Sequence, residues 1–120
     1  MHTDDSDVTF NVCIGKPGFK GAGLTICGIM GKADHRCFKM KYKHELGRCV
    51  THLGKQRHGA DDIESGTRVN LVMWARSLAY RHRREREENV YEVEGGPPSV
   101  ECLSFTHDRD YSVYKEMPAG

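Results

Sequence analysis

Short runs of hydrophobic residues, separated by glycine-rich turns, extend along the chain as far as residue 75. Their β-branched and aromatic content predicts four strands, over residues 8–14, 24–29, 37–42 and 48–53. Glycines and polar residues predict a loop over 15–23 and a turn over 61–66. The strongest strand pattern covers residues 67–75, where both faces carry bulky side chains. We therefore expect this last strand to lie between two layers of the fold.

Many short strands, with no long amphipathic helix among them, indicate an all-β sandwich or barrel. The composition then changes, and residues 78–90 combine good helix formers with a run of charges that ends at Gly95-Gly-Pro-Pro98. We expect a short charged helix over 77–94 and a C-terminal extension over 95–120, with no clear second domain.

Length and charge narrow the possible function classes. With 120 residues and 13.6 kDa, the chain has the size of one domain or part of one. Lys plus Arg total 18 and Asp plus Glu total 17, so the formal net charge of +1 lacks the attraction that a dedicated nucleic-acid binder needs. No apolar run approaches the roughly 18–20 residues that span a bilayer, so we expect no membrane span.

The chain has five cysteines, at positions 13, 27, 37, 49 and 102, and none of them forms a Cys-x-x-Cys pair. Their odd number, and an N-terminus without a basic and then apolar leader, favour free thiols in a reducing, intracellular compartment. Zinc ligands usually occur in closely spaced pairs, so a zinc site built on Cys37 and His35 is disfavoured.

Two pairs of residues could carry metal and co-substrate chemistry. His2 and Asp4 are two positions apart, and side chains at that spacing in an extended chain point the same way. Alone, this triplet is better explained as a solvated acidic N-terminus. His58 is followed ten residues later by Arg68 in the strongest strand pattern, and no other histidine has a basic residue at that distance. Each pair by itself is only weak evidence for a functional site.

The order of these residues along the chain is more specific than either pair. Two histidines and one aspartate from separate strands form the facial triad of non-haem Fe(II) oxygenases, which leaves the other coordination positions open. A cationic side chain close to such a site can bind the distal carboxylate of an organic acid.

On these residues and their surroundings, the sequence resembles the iron(II)- and 2-oxoglutarate-dependent oxygenase superfamily, on its prolyl- and lysyl-hydroxylase-like side. The resemblance covers about residues 2–76. It rests on five stretches read in order: His2-Thr-Asp4, Val8-Thr-Phe-Asn-Val-Cys-Ile-Gly15, Phe19-Lys-Gly-Ala-Gly-Leu24, His52-Leu-Gly-Lys-Gln-Arg-His58-Gly-Ala60 and Ser65-Gly-Thr-Arg68-Val-Asn-Leu-Val-Met-Trp74.

The resemblance implies a jelly-roll, or double-stranded β-helix, catalytic core over residues 1–76. It makes His2, Asp4 and His58 the iron ligands. It assigns Arg68 to the C5 carboxylate of 2-oxoglutarate, with Asn11 and Asn70 as lesser pocket residues. The implied cofactors are Fe(II), 2-oxoglutarate, O2 and ascorbate. The implied reaction decarboxylates 2-oxoglutarate to succinate and hydroxylates a C–H bond, on the prolyl or lysyl side chain of an unidentified protein substrate.

The chain departs from the family in two places. The family's barrel has a strand and a helical region before His-x-Asp, whereas only Met1 precedes it here, so we expect a C-terminal catalytic core that lacks its first strand. Where the family usually shows Gly-Gly-x-Leu, this chain has Gly21-Ala-Gly-Leu24, which is a mild change.

Two alternatives stay open at this point. The chain could be an inactive remnant of the oxygenase fold that acts as a binding module. It could also be a nucleic-acid-binding β module that uses the run Arg81-His-Arg-Arg-Glu-Arg86, although the two glutamates that follow favour a solvated helix face with an Arg81–Glu85 pair.

The remaining candidate residues have structural interpretations. We expect His52 to support a ligand rather than to be one. Polar neighbours predict that His35, His44 and His107 are solvated, and Trp74 is expected in the core.

Overall fold

The computed structural model of this chain describes residues 1–83 and 97–104. Within these residues the chain forms strands, one four-residue helix, α1 (Leu78–Arg81), and one 3₁₀ turn at Val100–Cys102. The strands are β1 (Val8–Gly15), β2 (Lys20–Gly21), β3 (Leu24–Ile29), β4 (Phe38–Tyr42), β5 (Cys49–Leu53), β6 (Gln56–Ala60), β7 (Ile63–Ser65) and β8 (Val69–Ala75). In this part of the chain, no helix has the length and apolar character needed to cross a membrane.

The strands form two three-stranded antiparallel sheets, in the orders β5-β1-β8 and β4-β3-β6, and β2 pairs separately with β7. The sheets meet through side chains, because His52 of β5 contacts His58 of β6. Asn70 of β8 likewise approaches His44, which follows β4. The prediction of an all-β, jelly-roll-like core is confirmed.

Strand register determines which side chains line the space between the sheets. Residues that face each other across antiparallel strands point to the same side. Thr9 of β1 is paired with His52 on one side and with Trp74 on the other, and Cys13 is paired with Asn70. Because side chains alternate along a strand, Thr9, Asn11 and Cys13 share one face, which we call the inner face.

The interior formed by residues 1–83 and 97–104 is largely polar. Its buried apolar residues are Cys13, Ala22, Leu24, Ile26, Cys27 and Cys102. Four histidines are buried beside them, namely His35, His44, His52 and His58. Buried polar groups need hydrogen-bond partners or ligands, so this composition points to a site within the fold rather than to a purely structural core.

The expectation that the last strand lies between two layers is wrong for the described residues. Trp74 is 62% exposed, and Leu71 and Met73 on the opposite face are 48% and 45% exposed. The alternation along β8 shows correctly which residues share a face. It carries no information on what covers either face, so Trp74 is not a core residue here.

Several smaller expectations need correction. The predicted turn over 61–66 contains β7, and the predicted loop over 15–23 contains β2; these strands of three and two residues are too short to show a period in the sequence. The helix expected over 77–94 is present as α1, and residues 84–94 lie outside the described residues. The Arg81–Glu85 pair also falls outside them, and Arg81 instead forms ion pairs of 3.2 Å with both Asp5 and Asp7.

The expectation of free thiols is wrong for two of the five cysteines. Cys27 of β3 forms a disulfide with Cys102, whose Cα atom lies 5.9 Å away. The other three cysteines, Cys13, Cys37 and Cys49, are free. The sequence could not show this bond because its partners are 75 residues apart.

Cys102→Ser is expected to lower the free energy of unfolding by about 2–5 kcal/mol, because the bond restricts the unfolded chain. Urea unfolding without reductant measures the effect. Cys49→Ser is the matched control, since Cys49 is exposed and free, and it should leave the urea midpoint unchanged. Equal midpoints for the two variants would contradict a stabilising Cys27–Cys102 bond.

Candidate metal centre

The first residues of the chain pair with β6 and so bring two histidines together. The backbone N–H of His2 donates to the carbonyl of His58 at 2.8 Å, and the N–H of His58 donates to the carbonyl of His2 at 2.9 Å. Directly paired residues project to the same side. The two imidazole rings therefore lie side by side, with centroids 4.4 Å apart.

Asp4 is held beside them by contacts with two neighbouring segments. Its backbone N–H donates to the carbonyl of Gly54 at 2.9 Å, and the hydroxyl of Thr9 donates to its Oδ2 at 2.7 Å. Gly54 must be glycine, because a Cβ there would collide with the carbonyl of Ser6. With Oδ2 bound by Thr9, Oδ1 is directed to the histidines.

The three side chains converge on one point. Oδ1 of Asp4 lies 3.3 Å from Nε2 of His2 and 3.6 Å from Nε2 of His58. One ligand atom from each residue can be chosen so that all three lie within 4.8 Å of one another. Metal bonds to nitrogen and oxygen are about 2.0–2.2 Å long, so neighbouring ligand atoms on one metal lie about 3 Å apart. The observed spacing is therefore close to that of a metal-bound triad.

The donor set suits a non-haem Fe(II) ion. Two imidazoles and one carboxylate supply three ligands on one face and leave other positions for a co-substrate and O2. The side chains of Asp4 and His58 are each 7% exposed, whereas that of His2 is 49% exposed. The centre is therefore closed by the protein on one side and open on the side of His2.

The hydrogen bonds of His58 prepare its ring for metal binding. Its Nδ1 lies 2.8 Å from the carbonyl of Gln56, which can only accept, so Nδ1 carries the proton and Nε2 keeps its lone pair. Burial is the main cause that lowers the pKa of His58 below its ordinary value, and this favours the neutral, metal-binding form. His52 is buried and packs against this ring with centroids 4.3 Å apart, as a supporting residue would.

Arg68 lies just before β8 and reaches across to the loop that precedes β3. Its Nη1 donates to the carbonyl of Ala22 at 2.6 Å. Ala22 adopts a φ of 55°, in the left-handed region that favours glycine, which costs an ordinary residue about 1–2 kcal/mol. Alanine, in place of the glycine that the family usually has here, therefore introduces some backbone strain at position 22. The carbonyl of the same residue accepts the hydrogen bond from Arg68.

The two predicted pocket asparagines are in contact with each other on the inner face. Nδ2 of Asn70 donates to Oδ1 of Asn11 at 2.5 Å and also lies 3.3 Å from Nδ1 of His44. The structure thus places Arg68, Asn11 and Asn70 on one side of the interior, and the triad of His2, Asp4 and His58 forms a separate cluster.

Sequence reasoning missed two buried histidines. His44 and His35, both expected to be solvated, are each 2% exposed. His44 follows β4 between Lys43 and Glu45, so its sequence neighbours indicate a surface position, and its burial depends on contacts from distant strands. His35 contacts the carbonyl of Lys32 through Nδ1 at 2.8 Å. His107 lies outside the described residues.

Comparison with known proteins gives several relatives. The chain is 35% identical over 100 residues to the 2-oxoglutarate and iron-dependent oxygenase domain-containing protein ICU11 of Arabidopsis thaliana, covering 74% of this chain and 23% of that protein. It is 36% identical over 97 residues to the protein CP2 of the same description and organism, covering 74% and 24%. The human 2-oxoglutarate and iron-dependent oxygenase domain-containing protein 2 is 36% identical over 81 residues, covering 68% and 23%.

The chain matches no protein-family model and no solved structure. It spans about a quarter of the length of the curated relatives it matches. Relatives from a plant and a vertebrate nevertheless share this description, and their matches cover more than half of the present sequence. The chain therefore belongs to the iron(II)- and 2-oxoglutarate-dependent oxygenase superfamily.

Proposed function

We propose that this chain carries the metal and co-substrate site of a dioxygenase that hydroxylates a C–H bond while 2-oxoglutarate is decarboxylated to succinate. The observation that carries the proposal is the convergence of His2, Asp4 and His58 on one point, from segments far apart in sequence. When bound, Fe(II) with 2-oxoglutarate and O2 supplies the oxidising chemistry.

The protein's own residues have distinct tasks in this proposal. His2, Asp4 and His58 hold the metal on one face, and Thr9 fixes the Asp4 carboxylate so that its other oxygen serves as the ligand. Arg68 binds the distal carboxylate of 2-oxoglutarate, because a guanidinium offers paired donors to a carboxylate.

The remaining tasks concern the surroundings of the metal. Asn11 and Asn70 hold each other in place on the inner face. Burial of Asp4 and His58 keeps water from one side of the metal.

We propose a peptidyl prolyl or lysyl side chain as the substrate. The family branch supports this, and so does the exposure of His2, since the centre opens to solvent where a side chain of another protein can reach it. Ascorbate, as a reductant that keeps the iron ferrous, belongs to the same proposal.

Anaerobic titration with Fe(II) and then with 2-oxoglutarate tests the proposed site. We expect one Fe(II) per chain, followed by the weak visible charge-transfer band that 2-oxoglutarate produces when it chelates ferrous iron. Iron binding without the band would favour the inactive binding module. A folded protein that binds no iron would contradict the metal centre altogether.

The nucleic-acid-binding alternative receives no support from the described residues. The charge of Arg81 is neutralised by Asp5 and Asp7. A carboxylate oxygen of each lies 3.2 Å from a nitrogen of the Arg81 guanidinium. Of the following arginines, Arg83 is described and exposed, whereas Arg84 and Arg86 lie outside the described residues.

A further inference from the structure

His44 occupies a position that no role proposed so far explains. It lies between β4 and β5, is 2% exposed, and meets Tyr42 edge-on with ring centroids 5.2 Å apart. Across the interior it faces Asn70 of β8, the strand that Arg68 precedes. A polar ring buried this deeply is expected to have partners for both of its nitrogens.

The hydrogen bonds around His44 determine which of its nitrogens carries the proton. Nδ2 of Asn70 is a donor, and it lies 3.3 Å from Nδ1 of His44. Nδ1 is therefore the acceptor, and the neutral ring carries its proton on Nε2. Burial first, and the charge of Arg68 second, lower the pKa of His44 and favour this neutral ring.

Nε2 of His44 is consequently a buried donor, and residues 1–83 and 97–104 offer it no acceptor. Leaving such a group unpaired in the interior is energetically unfavourable. The unpaired N–H therefore points to a ligand that brings an acceptor atom into this position.

The neighbouring charge indicates what kind of acceptor is needed. Within the described part of the chain, the guanidinium of Arg68 donates to the neutral carbonyl of Ala22, and no carboxylate lies within 4 Å of it. A cation without a counterion and an unpaired N–H donor on the same side of the interior form a site for an anion. A carboxylate has two oxygens, one for each of these donors.

We propose that His44 is a co-substrate-binding residue whose Nε2–H donates to the distal carboxylate of 2-oxoglutarate, beside Arg68. This inference rests on the proposed function, because it takes 2-oxoglutarate as the ligand. The neutral Nε2–H of His44 would then bind the carboxylate together with the charged guanidinium of Arg68. Asn70 is the positioning residue, because its contact with Nδ1 keeps the proton of the His44 ring on Nε2.

A matched pair of variants tests the role of Nε2. In His44→Gln the side-chain amide nitrogen reaches the place of Nε2, whereas in His44→Asn it reaches only the place of Nδ1. Each protein is loaded anaerobically with Fe(II) and titrated with 2-oxoglutarate, and the charge-transfer band reports binding. A second titration uses 2-oxopentanoate, which has the same five-carbon chain and keto acid but a methyl group in place of the distal carboxylate.

We expect His44→Asn to weaken binding of 2-oxoglutarate by about 10- to 100-fold, the value of one hydrogen bond to a charged group. Its affinity for 2-oxopentanoate should stay within about twofold of the wild type, because that ligand lacks the acceptor. His44→Gln should keep most of the affinity for 2-oxoglutarate. Circular dichroism checks that both variants fold.

The outcomes separate this inference from the proposed function. If the wild type binds 2-oxoglutarate and His44→Asn binds it equally well, the role of His44 is overturned and the proposed function stands. Equal losses for both ligands would also overturn it, since His44 would then act only structurally. If the wild type shows no band with either ligand, the proposed function itself fails.

Discussion

His58→Ala is expected to lose Fe(II) at concentrations that saturate the wild type, with affinity reduced at least about 100-fold. His58 is the better fixed of the two histidine ligands. Its ring is buried, and its Nδ1 donates to the carbonyl of Gln56. Without it the metal would keep one carboxylate and the half-exposed His2, which is too few ligands for a stable site.

Iron content after anaerobic desalting measures this loss directly. His82→Ala is the matched control, because His82 is exposed at the end of α1 and is not a member of the triad, and it should leave one Fe(II) per chain. Thermal unfolding of both apoproteins distinguishes loss of a ligand from loss of the fold. Unchanged iron content in a folded His58→Ala protein would rule out the triad.

The parts of the fold that the sequence predicted are those determined by local patterns. β1, β3 and β8 contain many β-branched and other hydrophobic residues, and this composition favours strand conformation. Spacing placed His2 and Asp4 on the same side, and the extended chain at residues 2–4 brings their side chains within 3.3 Å. These features need no knowledge of what lies across the interior.

The parts that could not be predicted depend on contacts between distant segments. The Cys27–Cys102 bond, the burial of His44 and the exposure of Trp74 each depend on which segment covers a given face. No local pattern carries that information. The proposed metal ligands form an intermediate case, since only the resemblance to a family connected His58 with the N-terminal pair across more than fifty intervening residues.

The polar interior also explains how the fold positions its site. Asp4 is fixed by Thr9, which is in turn bonded to Ser6 at 2.7 Å, and both hydroxyls are buried. A buried network of this kind holds the Asp4 carboxylate in one orientation, because the Thr9 hydroxyl donates to it and is itself held by the Ser6 hydroxyl. These bonds leave Oδ1 of Asp4 facing His2 and His58, where it can act as a ligand atom.

The second large effect is expected from Arg68→Met, which should leave Fe(II) bound and weaken 2-oxoglutarate at least about 100-fold. Methionine retains a flexible side chain but removes the charge and all donors of the guanidinium. Since Arg68 precedes β8 and contacts Ala22 rather than the triad, iron content should be unchanged. Titration of the charge-transfer band measures the affinity, with 2-oxopentanoate as the ligand whose binding should not change.

Arg68→Lys makes the test specific for the guanidinium. Lysine keeps the positive charge but lacks the planar pair of donors, so it should recover part of the affinity and not all of it. Full recovery would mean that charge alone holds the distal carboxylate, without a paired contact. Equal affinity for 2-oxoglutarate in Arg68→Met and the wild type would exclude Arg68 from the site. The distal carboxylate would then have to be bound by groups other than this guanidinium, which is the charge that acts on His44.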